Sequence, residues 1–288
     1  MTPLALSDTY KEVSLPQGLV RYQDHGSGPT LVFLHGILVN SALWMDVVSL
    51  LSGQFRCIVP DLPLGAHAVP LHSDADLSPP GVAQLVADFL EALDLHDVTL
   101  VGNDTGGAIC QLTIAAHPER ITRLVLTNCD GFEAFFPLLI SPFHYGAQFF
   151  GTHFVDFLAW LFRSRFAQRL LVAAVSYRHL DTSMLDTYFT PMHSNAEVRR
   201  DLTGFLQAVS NRDTLEAART FPSFQHPVLI VWGKNDIFFS SSIAKRLQQA
   251  FPDATLEFIS QSRAFVPADQ PSFLSQRIAE FVHESVHS

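Results

Sequence analysis

The sequence predicts an α/β protein with one mainly parallel sheet, helices on both of its faces and an inserted helical segment. Three observations predict this class. Short β-rich runs alternate with helical patterns, the runs are almost continuously aliphatic, and one aromatic-rich segment interrupts the alternation. The 288 residues are 48% hydrophobic and 16% charged, which is enough apolar material for one large core and too much for a disordered chain.

Eight strands are predicted along the chain. "KEVSLP" and "LVRYQDHG" form an opening hairpin, and six parallel strands follow at residues 30–36, 55–61, 97–104, 123–128, 227–233 and 255–260. Helices between and after these strands are predicted at residues 41–52, 80–94, 105–117, 241–251 and 271–284.

One long segment, residues 132–218, holds no convincing strand but many aromatic side chains. We interpret it as a helical cap, inserted into a core domain formed by residues 1–131 and 219–288; the alternative is a set of extra core helices. A Phe-rich cap above the C-terminal ends of parallel strands would roof an apolar pocket, which is where open α/β sheets bind ligands.

Charge and composition exclude several classes of partner. A net charge of −10 without a basic block argues against a nucleic-acid partner. The apolar stretches are shorter than the ~20 residues of a membrane span, so no membrane partner is expected. The three cysteines lack metal-ligand spacing and suit reduced thiols, and the N-terminus lacks the features of a signal peptide. We expect a cytoplasmic monomer or homodimer without metal or cofactor.

The strongest local signal is "TLVGNDTGGAICQ", residues 99–111. A strand ends near Gly102, a tight turn follows at Asp104, and a helix begins at once with Gly106 and Gly107. This is the strand–turn–helix context of a nucleophile elbow, in which small residues flank a strained turn. The turn exposes its side chain at a helix N-terminus, where free N–H groups stabilise negative charge.

The side chain in this turn is a carboxylate, Asp104. One interpretation is a simple helix N-cap, because Asp favours that position. The elbow interpretation makes Asp104 a nucleophile that is already ionised. It suits attack on an sp³ carbon that bears a halide or epoxide oxygen, which gives an alkyl–enzyme ester.

Four motifs in order resemble the α/β-hydrolase fold, and most of all its haloalkane dehalogenase and epoxide hydrolase branches. They are "FLHG" (33–36), "GNDTGG" (102–107), "WGKND" (232–236) and "SRAFVPADQP" (262–271). The resemblance covers nearly the whole chain apart from the cap. It implies an eight-stranded, mostly parallel sheet flanked by helices, with an inserted helical cap. It also implies a small apolar organic substrate.

The resemblance assigns roles to individual residues. Asp104 matches the nucleophile, and the backbone N–H groups of Ile37 and Thr105 match the oxyanion hole. Asp236 matches the acid that orients a catalytic histidine, and Asp130 is a weaker alternative for that role. His35 is interpreted as a structural residue of the "HG" turn rather than an acid–base group, although it stays a candidate to border the substrate.

The histidine itself is missing. The family pattern H-F-x-x-x-D-x-P occurs here as "AFVPADQP", with Ala264 in the position of the histidine that should activate water. An engineered change and a natural variant explain Ala264 equally well. The cap histidines His144, His153, His179 and His193 are candidates to replace the base, although solvated positions suit them better.

At the positions expected to stabilise a leaving group, this sequence also differs from the motifs of haloalkane dehalogenases and of epoxide hydrolases. The usual halide-binding positions hold Thr105 and Ile37, which leaves Asn40 and Asn128 as candidates to contact the substrate. Leu38 replaces the proline of the epoxide hydrolase "HGxP" motif. Further candidates for substrate contact lie in the cap: Phe135, Tyr145 and Tyr188, with Tyr177 as another possible cap tyrosine.

Three functions remain open from the sequence. The first is an Asp-nucleophile hydrolase, with or without its full turnover. The second is a ligand-binding protein on a disabled hydrolase scaffold. The third is a lyase, isomerase or cyclase in which Asp104 acts as general base.

Overall fold

Eight strands form a single sheet in the computed structural model, which describes residues 10–286. They are β1 (Lys11–Leu15), β2 (Gly18–His25), β3 (Thr30–Leu34), β4 (Arg56–Pro60), β5 (Val98–Asp104), β6 (Ile121–Cys129), β7 (Val228–Gly233) and β8 (Ala254–Ile259). Their order is β1-β2-β4-β3-β5-β6-β7-β8. The pairs β1–β2 and β2–β4 are antiparallel and the others are parallel. The predicted fold class is confirmed.

Twelve α-helices accompany the sheet in the described part of the chain. They are α1 (Met45–Leu51), α2 (Pro79–Ala92), α3 (Thr105–Ala116), α4 (Ser141–Phe150), α5 (Thr152–Leu161), α6 (Arg165–Val175), α7 (Thr182–Ser194), α8 (Ala196–Ala208), α9 (Asn211–Ala218), α10 (Ser241–Ala250), α11 (Val266–Asp269) and α12 (Pro271–Val286). The predicted helix at 41–52 is divided into a short 3-10 helix, Ser41–Trp44, and α1. The side chain of Asn40 caps the 3-10 turn by accepting a hydrogen bond from the backbone N–H of Ala42. None of the described helices has both the length and the apolar character needed to cross a bilayer.

The central strands lie in the core because both of their faces are covered. All seven residues of β5 and all six of β7 are buried, as the continuous apolar pattern predicts for strands between two helical layers. Phe33, Trp44 and Trp232 are among the largest side chains that are fully buried. The Trp232 indole N–H donates to the backbone oxygen of Phe239 at 3.1 Å, which satisfies its polar atom. The ends of β5 and β7 are therefore rigid supports for the residues that follow them.

The segment between β6 and β7 contributes no strand to the sheet within the described residues. Its six α-helices, α4 to α9, lie inside the predicted boundaries 132–218, and the division into cap and core at those boundaries stays a prediction. Two buried contacts tie the segment to the rest of the chain. Asp201 accepts from the backbone N–H of Leu71 at 2.8 Å and contacts the His67 ring at 3.2 Å. The backbone N–H of Phe265 donates to the Val175 oxygen at 2.8 Å.

Candidate active site

Asp104 is the last residue of β5, and α3 begins at the next residue. Its φ of 58° lies in the left-handed region. This conformation is unfavourable for any residue that has a Cβ, and it is common at functional turns. Glycines surround the turn because there is no room for larger residues. A Cβ at Gly36 would lie 2.5 Å from the Cβ of Asp104, and one at Gly106 would meet the backbone oxygen of Leu34. The elbow geometry therefore follows from these glycines.

One oxygen of the Asp104 carboxylate carries all of its hydrogen bonds. Oδ1 accepts from the Thr105 backbone N–H at 2.5 Å, from the Thr105 hydroxyl at 2.9 Å and from the Ile37 N–H at a long 3.5 Å. No described residue donates to Oδ2. The two backbone N–H groups predicted for an oxyanion hole thus hold Oδ1 and leave Oδ2 available.

The environment of Asp104 opposes its ionisation. Burial in apolar surroundings raises the pKa of this carboxyl above its ordinary value, because a low dielectric disfavours charge. The hydrogen bonds from Thr105 and Ile37 act in the opposite direction and offset part of the rise in pKa.

Asp236 follows β7 and is held by two donors. Its Oδ2 accepts from the Asn128 amide at 2.6 Å, and its Oδ1 accepts from the Phe238 backbone N–H at 2.8 Å. The pKa of Asp236 is raised to about 6, mainly by burial and also by the nearby charge of Asp104, while the hydrogen bonds from its donors offset part of the rise. Asp236 is therefore fixed in place but protonates more easily than an exposed Asp.

Asn128 was expected to contact substrate, and the structure corrects this. Its amide oxygen accepts from the Gly233 backbone N–H at 2.6 Å. Its amide nitrogen donates to the Gly233 oxygen at 3.2 Å as well as to Asp236. Because these bonds use the fully buried side chain, Asn128 clamps the end of β7 and positions Asp236.

Ala264 is fully buried on the loop between β8 and α11. The amide of Asn103, the neighbour of Asp104, donates to the Ala264 oxygen at 2.8 Å. The N–H of Asn235, the neighbour of Asp236, donates to the Ser262 oxygen at 3.0 Å. The 262–264 loop thus contacts both the elbow and the loop that carries Asp236. Ala264 does not face solvent, and its match to the family's histidine stays a prediction.

A third carboxyl, Asp130, is buried beside the elbow. Its Oδ2 accepts from the Thr105 hydroxyl at 3.5 Å, and its Oδ1 has no hydrogen-bond partner among the described residues. Burial and the charge of Asp104 raise the pKa of Asp130 well above its ordinary value. Asp130 therefore remains an alternative to Asp236 for the role of the orienting acid.

Asp104 lines an apolar cavity of about 210 Å³ between the sheet and the inserted helices. Of the predicted site residues, Ile37, Asp104 and Tyr188 line it. The other lining residues are apolar and were not predicted from the sequence: Leu38, Val39, Leu139, Ile140, Phe143, Leu171, Val172, Val175, Phe189, Phe238 and Phe265. Two of these could have been predicted from the sequence motifs, because Phe238 lies two residues after Asp236 and Phe265 directly follows Ala264.

Two predicted substrate-binding residues of the core have structural roles instead. His35 is fully buried; its Nδ1 donates to the Gly36 oxygen and its Nε2 accepts from the Leu62 N–H, both at 2.8 Å. Burial lowers the pKa of His35 to about 4, so the ring stays neutral. The Asn40 amide nitrogen donates to the oxygens of Ala66 and Thr187, at 3.2 and 3.0 Å. Neither side chain borders the cavity.

Two predicted cap residues, Phe135 and Tyr145, lie beside a different depression, which does not include Asp104. Phe135 is buried against Phe136 at a ring distance of 5.8 Å, and Tyr145 is 53% exposed. The cap histidines do not line the cavity either, and the Nδ1 of His144 is bonded to the Leu206 oxygen at 2.8 Å. Within the described residues no cluster of three or more His, Cys, Asp or Glu side chains could hold a metal ion.

The raised pKa of Asp236 predicts a pH-dependent stability. Its ordinary value is 3.8 and its folded value is about 6. Asp236 therefore contributes stability below pH ~4 that is lost as the pH rises to ~6. We expect the unfolding free energy of the wild type, relative to Asp236→Ala, to fall across this interval. Urea unfolding at a series of pH values measures it, and a difference that does not change with pH would contradict the raised pKa.

Comparison with known proteins identifies the family of the fold. The family described as the alpha/beta hydrolase fold matches residues 29–271. Haloalkane dehalogenase 2 of Mycobacterium bovis is 27% identical over 269 residues, 92% of this chain and 91% of that protein. Carboxylesterase YbfK of Bacillus subtilis is 23% identical over 262 residues, 88% of this chain and 80% of that protein. The crystal structure of haloalkane dehalogenase DbeA from Bradyrhizobium elkani superposes with a TM-score of 0.82 at 15% identity, over 97% of this chain and 99% of that one. The chain belongs to the α/β-hydrolase fold family.

Proposed function

We propose that this protein uses Asp104 as a nucleophile and forms an alkyl–enzyme ester with a small apolar electrophile. The observation that carries the proposal is that the two oxygens of the Asp104 carboxylate have different surroundings. Thr105 and Ile37 hold Oδ1, while Oδ2 has no hydrogen bond from a described residue and Asp104 lines the apolar cavity. A fixed carboxylate with one free oxygen is oriented for attack on carbon.

The reaction displaces a leaving group from an sp³ carbon. Oδ2 forms the new C–O bond, the bond from carbon to the halide or epoxide oxygen breaks, and the ester carbonyl stays on Oδ1. Attack on an ordinary carboxylic ester is less favourable, because it would produce a mixed anhydride. A cavity of about 210 Å³ suits a substrate smaller than most drug-sized ligands.

The polarity of the cavity favours an epoxide over a haloalkane. Among the described residues, Asp104 and Tyr188 are the polar side chains that line the cavity. An opening epoxide needs a proton on its developing alkoxide, which a phenol can donate, whereas a halide is usually held by N–H donors. The hydroxyl of Tyr188 is protonated at neutral pH and so can donate, although burial raises its pKa and makes it a weaker acid than an exposed phenol. Among the described residues that line the cavity, Tyr188 is the one candidate donor, where epoxide hydrolases use a pair.

The chain lacks the histidine that would catalyse hydrolysis of the ester. Ala264 has a methyl group where the family's histidine would deprotonate water. The cap histidines do not line the cavity, so none of them is positioned to replace this base. We therefore expect the chemistry to stop at, or slow greatly after, the ester.

Intact-protein mass spectrometry after incubation with matched sets of epoxides and 1-haloalkanes tests the proposal. We expect the mass to increase by one substrate per chain, with epoxides reacting faster than haloalkanes of equal carbon number. Tyr188→Phe should slow ester formation from epoxides by ~10²-fold or more, because it removes the proton donor, and should change the reaction with haloalkanes little. An equal loss with both classes would mean that Tyr188 shapes the cavity and does not donate the proton.

A second candidate is general base catalysis, or ligand binding, without a covalent step. The observation that favours it is the pKa of Asp104, which burial raises above its ordinary value, so that the carboxylate is a stronger base than an exposed Asp. Under this hypothesis no electrophile in the panel adds to the protein. The same mass measurement therefore separates the two candidates.

A further inference from the structure

The exposed large apolar side chains of the described residues are concentrated in one stretch of the chain. Ten of eleven lie within residues 138–177, and the other is Ile237. We use the term cap face for the members carried by helices α4, α5 and α6: Phe149, Phe150, Phe157, Trp160, Phe166 and Leu170. Scattered exposed apolar residues are normal, whereas a concentration of large ones marks an interaction site.

The pattern of helix α6 explains this exposure. Val172 and Val175 point inward and are buried, while Phe166 and Leu170, four residues apart, share the opposite side and are exposed, Phe166 at 77%. A helix that is apolar on both sides has more apolar surface than its own fold covers. Its outward side is therefore available to a partner.

Helix α5 repeats the arrangement. Val155 and Leu158 are buried, whereas Phe157 and Trp160 are exposed and their rings stack on each other at 5.8 Å. Only Gly151 separates α5 from α4, and residues 162–164 separate it from α6. Helix α4 packs against α5, and residues of α4 and α6 line the same cavity, so the helices that carry the exposed rings are neighbours in the fold.

The charge beside the cap face has the opposite sign to that of the whole protein. Residues 141–175, which carry the cap face, contain three arginines and one acidic residue, Asp156, which pairs with Arg199, while the chain carries a net charge of −10. Arg165 pairs with Asp186 at 2.5 Å. Arg163 and Arg169 make no ion pair with any described residue. Arginines interleaved with Trp, Phe and Leu are the composition of helices that lie at the surface of an anionic bilayer.

We infer that the cap face docks on the surface of a lipid bilayer that contains anionic headgroups. Phe166, Leu170 and Trp160 would enter the boundary between headgroups and acyl chains, where aromatic side chains are favoured, and the arginines would contact lipid phosphates. No membrane partner was expected from the sequence, because no stretch is long enough to span a bilayer. Surface docking needs no spanning helix, so this inference departs from that expectation.

The cavity opens beside this surface. Leu139 lines the cavity and is 61% exposed, and Leu171, which also lines it, directly follows the exposed Leu170. A docked cap face would place this apolar rim next to the lipid, so that an apolar substrate could enter without crossing water. This last step rests on the proposed function, whereas docking itself does not.

Vesicle sedimentation with the full chain, without substrate, tests docking alone. Vesicles of equal parts phosphatidylcholine and phosphatidylglycerol should pellet the protein, and vesicles of phosphatidylcholine alone should pellet much less. Added salt should release the protein because it screens the arginines. The double variant Phe166→Ser/Leu170→Ser should bind at least ~10-fold more weakly, because it removes two apolar side chains from the lipid contact.

A charge variant and its matched control separate docking from a loss of folding. Arg163→Gln/Arg169→Gln should weaken binding to the anionic vesicles about 10-fold or more. Arg212→Gln/Arg219→Gln removes the same charge outside the cap face and should bind like the wild type. Protein that stays in the supernatant with anionic vesicles would overturn the inference, as would equal losses in both arginine pairs. A dimer in sedimentation velocity that Phe166→Ser/Leu170→Ser dissociates, together with no vesicle binding, would assign the cap face to a second copy instead.

Discussion

Ala264→His should convert a protein that stops at the ester into one that turns over repeatedly. The 262–264 loop contacts both the elbow, through Asn103, and the Asp236 loop, through Asn235. We expect an imidazole at this position to lie between the two carboxylates. It would deprotonate the water that attacks the ester, and Asp236 would fix its tautomer and stabilise its charge.

The expected gain is large because general base assistance is worth ~10²–10⁴ in rate. Pre-steady-state kinetics with an electrophile that labels the wild type should show a single-turnover burst in the wild type and steady product release in Ala264→His. The imidazolium should also lower the pKa of Asp236, because an opposite charge favours the carboxylate.

A control is needed because Ala264 is fully buried and an imidazole adds volume. Ala264→Asn adds a side chain of intermediate size that cannot act as a base, so it should perturb packing without restoring turnover. Thermal unfolding of both variants reports the cost of the added volume. If the wild type turns over as fast as Ala264→His, the chain is not deficient in its base, and general base catalysis by Asp104 becomes the better account.

Chain periodicity and glycine spacing were sufficient to predict the fold and the elbow. The continuous apolar run of β5, followed at once by Asp104, Gly106 and Gly107, leaves few alternatives to a buried strand that turns directly into a helix. This signal is local, because it depends on residues that are adjacent in the chain. The placement of the elbow at the C-terminal edge of the sheet follows from it.

To predict which residues line the cavity, one must know which side of each inserted helix faces inward. Tyr188 and Tyr145 look equivalent as isolated cap tyrosines, but their helices differ. In α7, Leu185, Tyr188, Phe189 and Met192 are spaced along one buried side, whereas the only buried residue of α4 is Ala147. That apolar spacing was visible in the sequence and could have favoured Tyr188.

The polar residues were harder to place, because their roles depend on distances across the fold. Asn128 and Asn40 both stand near motif residues, which suggested contact with substrate. Asn128 instead satisfies the backbone of Gly233, 105 residues later in the chain, and Asn40 bonds to Thr187, 147 residues later. Buried amides are usually consumed by such backbone groups, and only the packed structure identifies the partner.

Asp104→Asn should abolish ester formation with every electrophile. The amide oxygen can still accept the hydrogen bonds that Thr105 and Ile37 donate to Oδ1. The amide nitrogen would then replace Oδ2 on the side of the cavity, where its delocalised lone pair makes it a poor nucleophile. We expect labelling in intact-protein mass spectra to slow by at least ~10⁴-fold, as when other covalent catalysts lose their nucleophile.

The same substitution should not destabilise the fold, which separates a chemical effect from misfolding. Because burial raises the pKa of Asp104, ionising it costs the folded state free energy, and that cost grows as the pH rises through the folded pKa. A neutral Asn avoids this cost, so Asp104→Asn should unfold at an equal or higher urea concentration than the wild type at pH ~7. Asp213→Asn is the matched control, since burial also raises the pKa of Asp213, which lies on α9 away from the cavity, and it should label like the wild type. If Asp104→Asn still acquires one substrate per chain, peptide mapping will find the ester on another carboxyl, and Asp104 is then not the nucleophile.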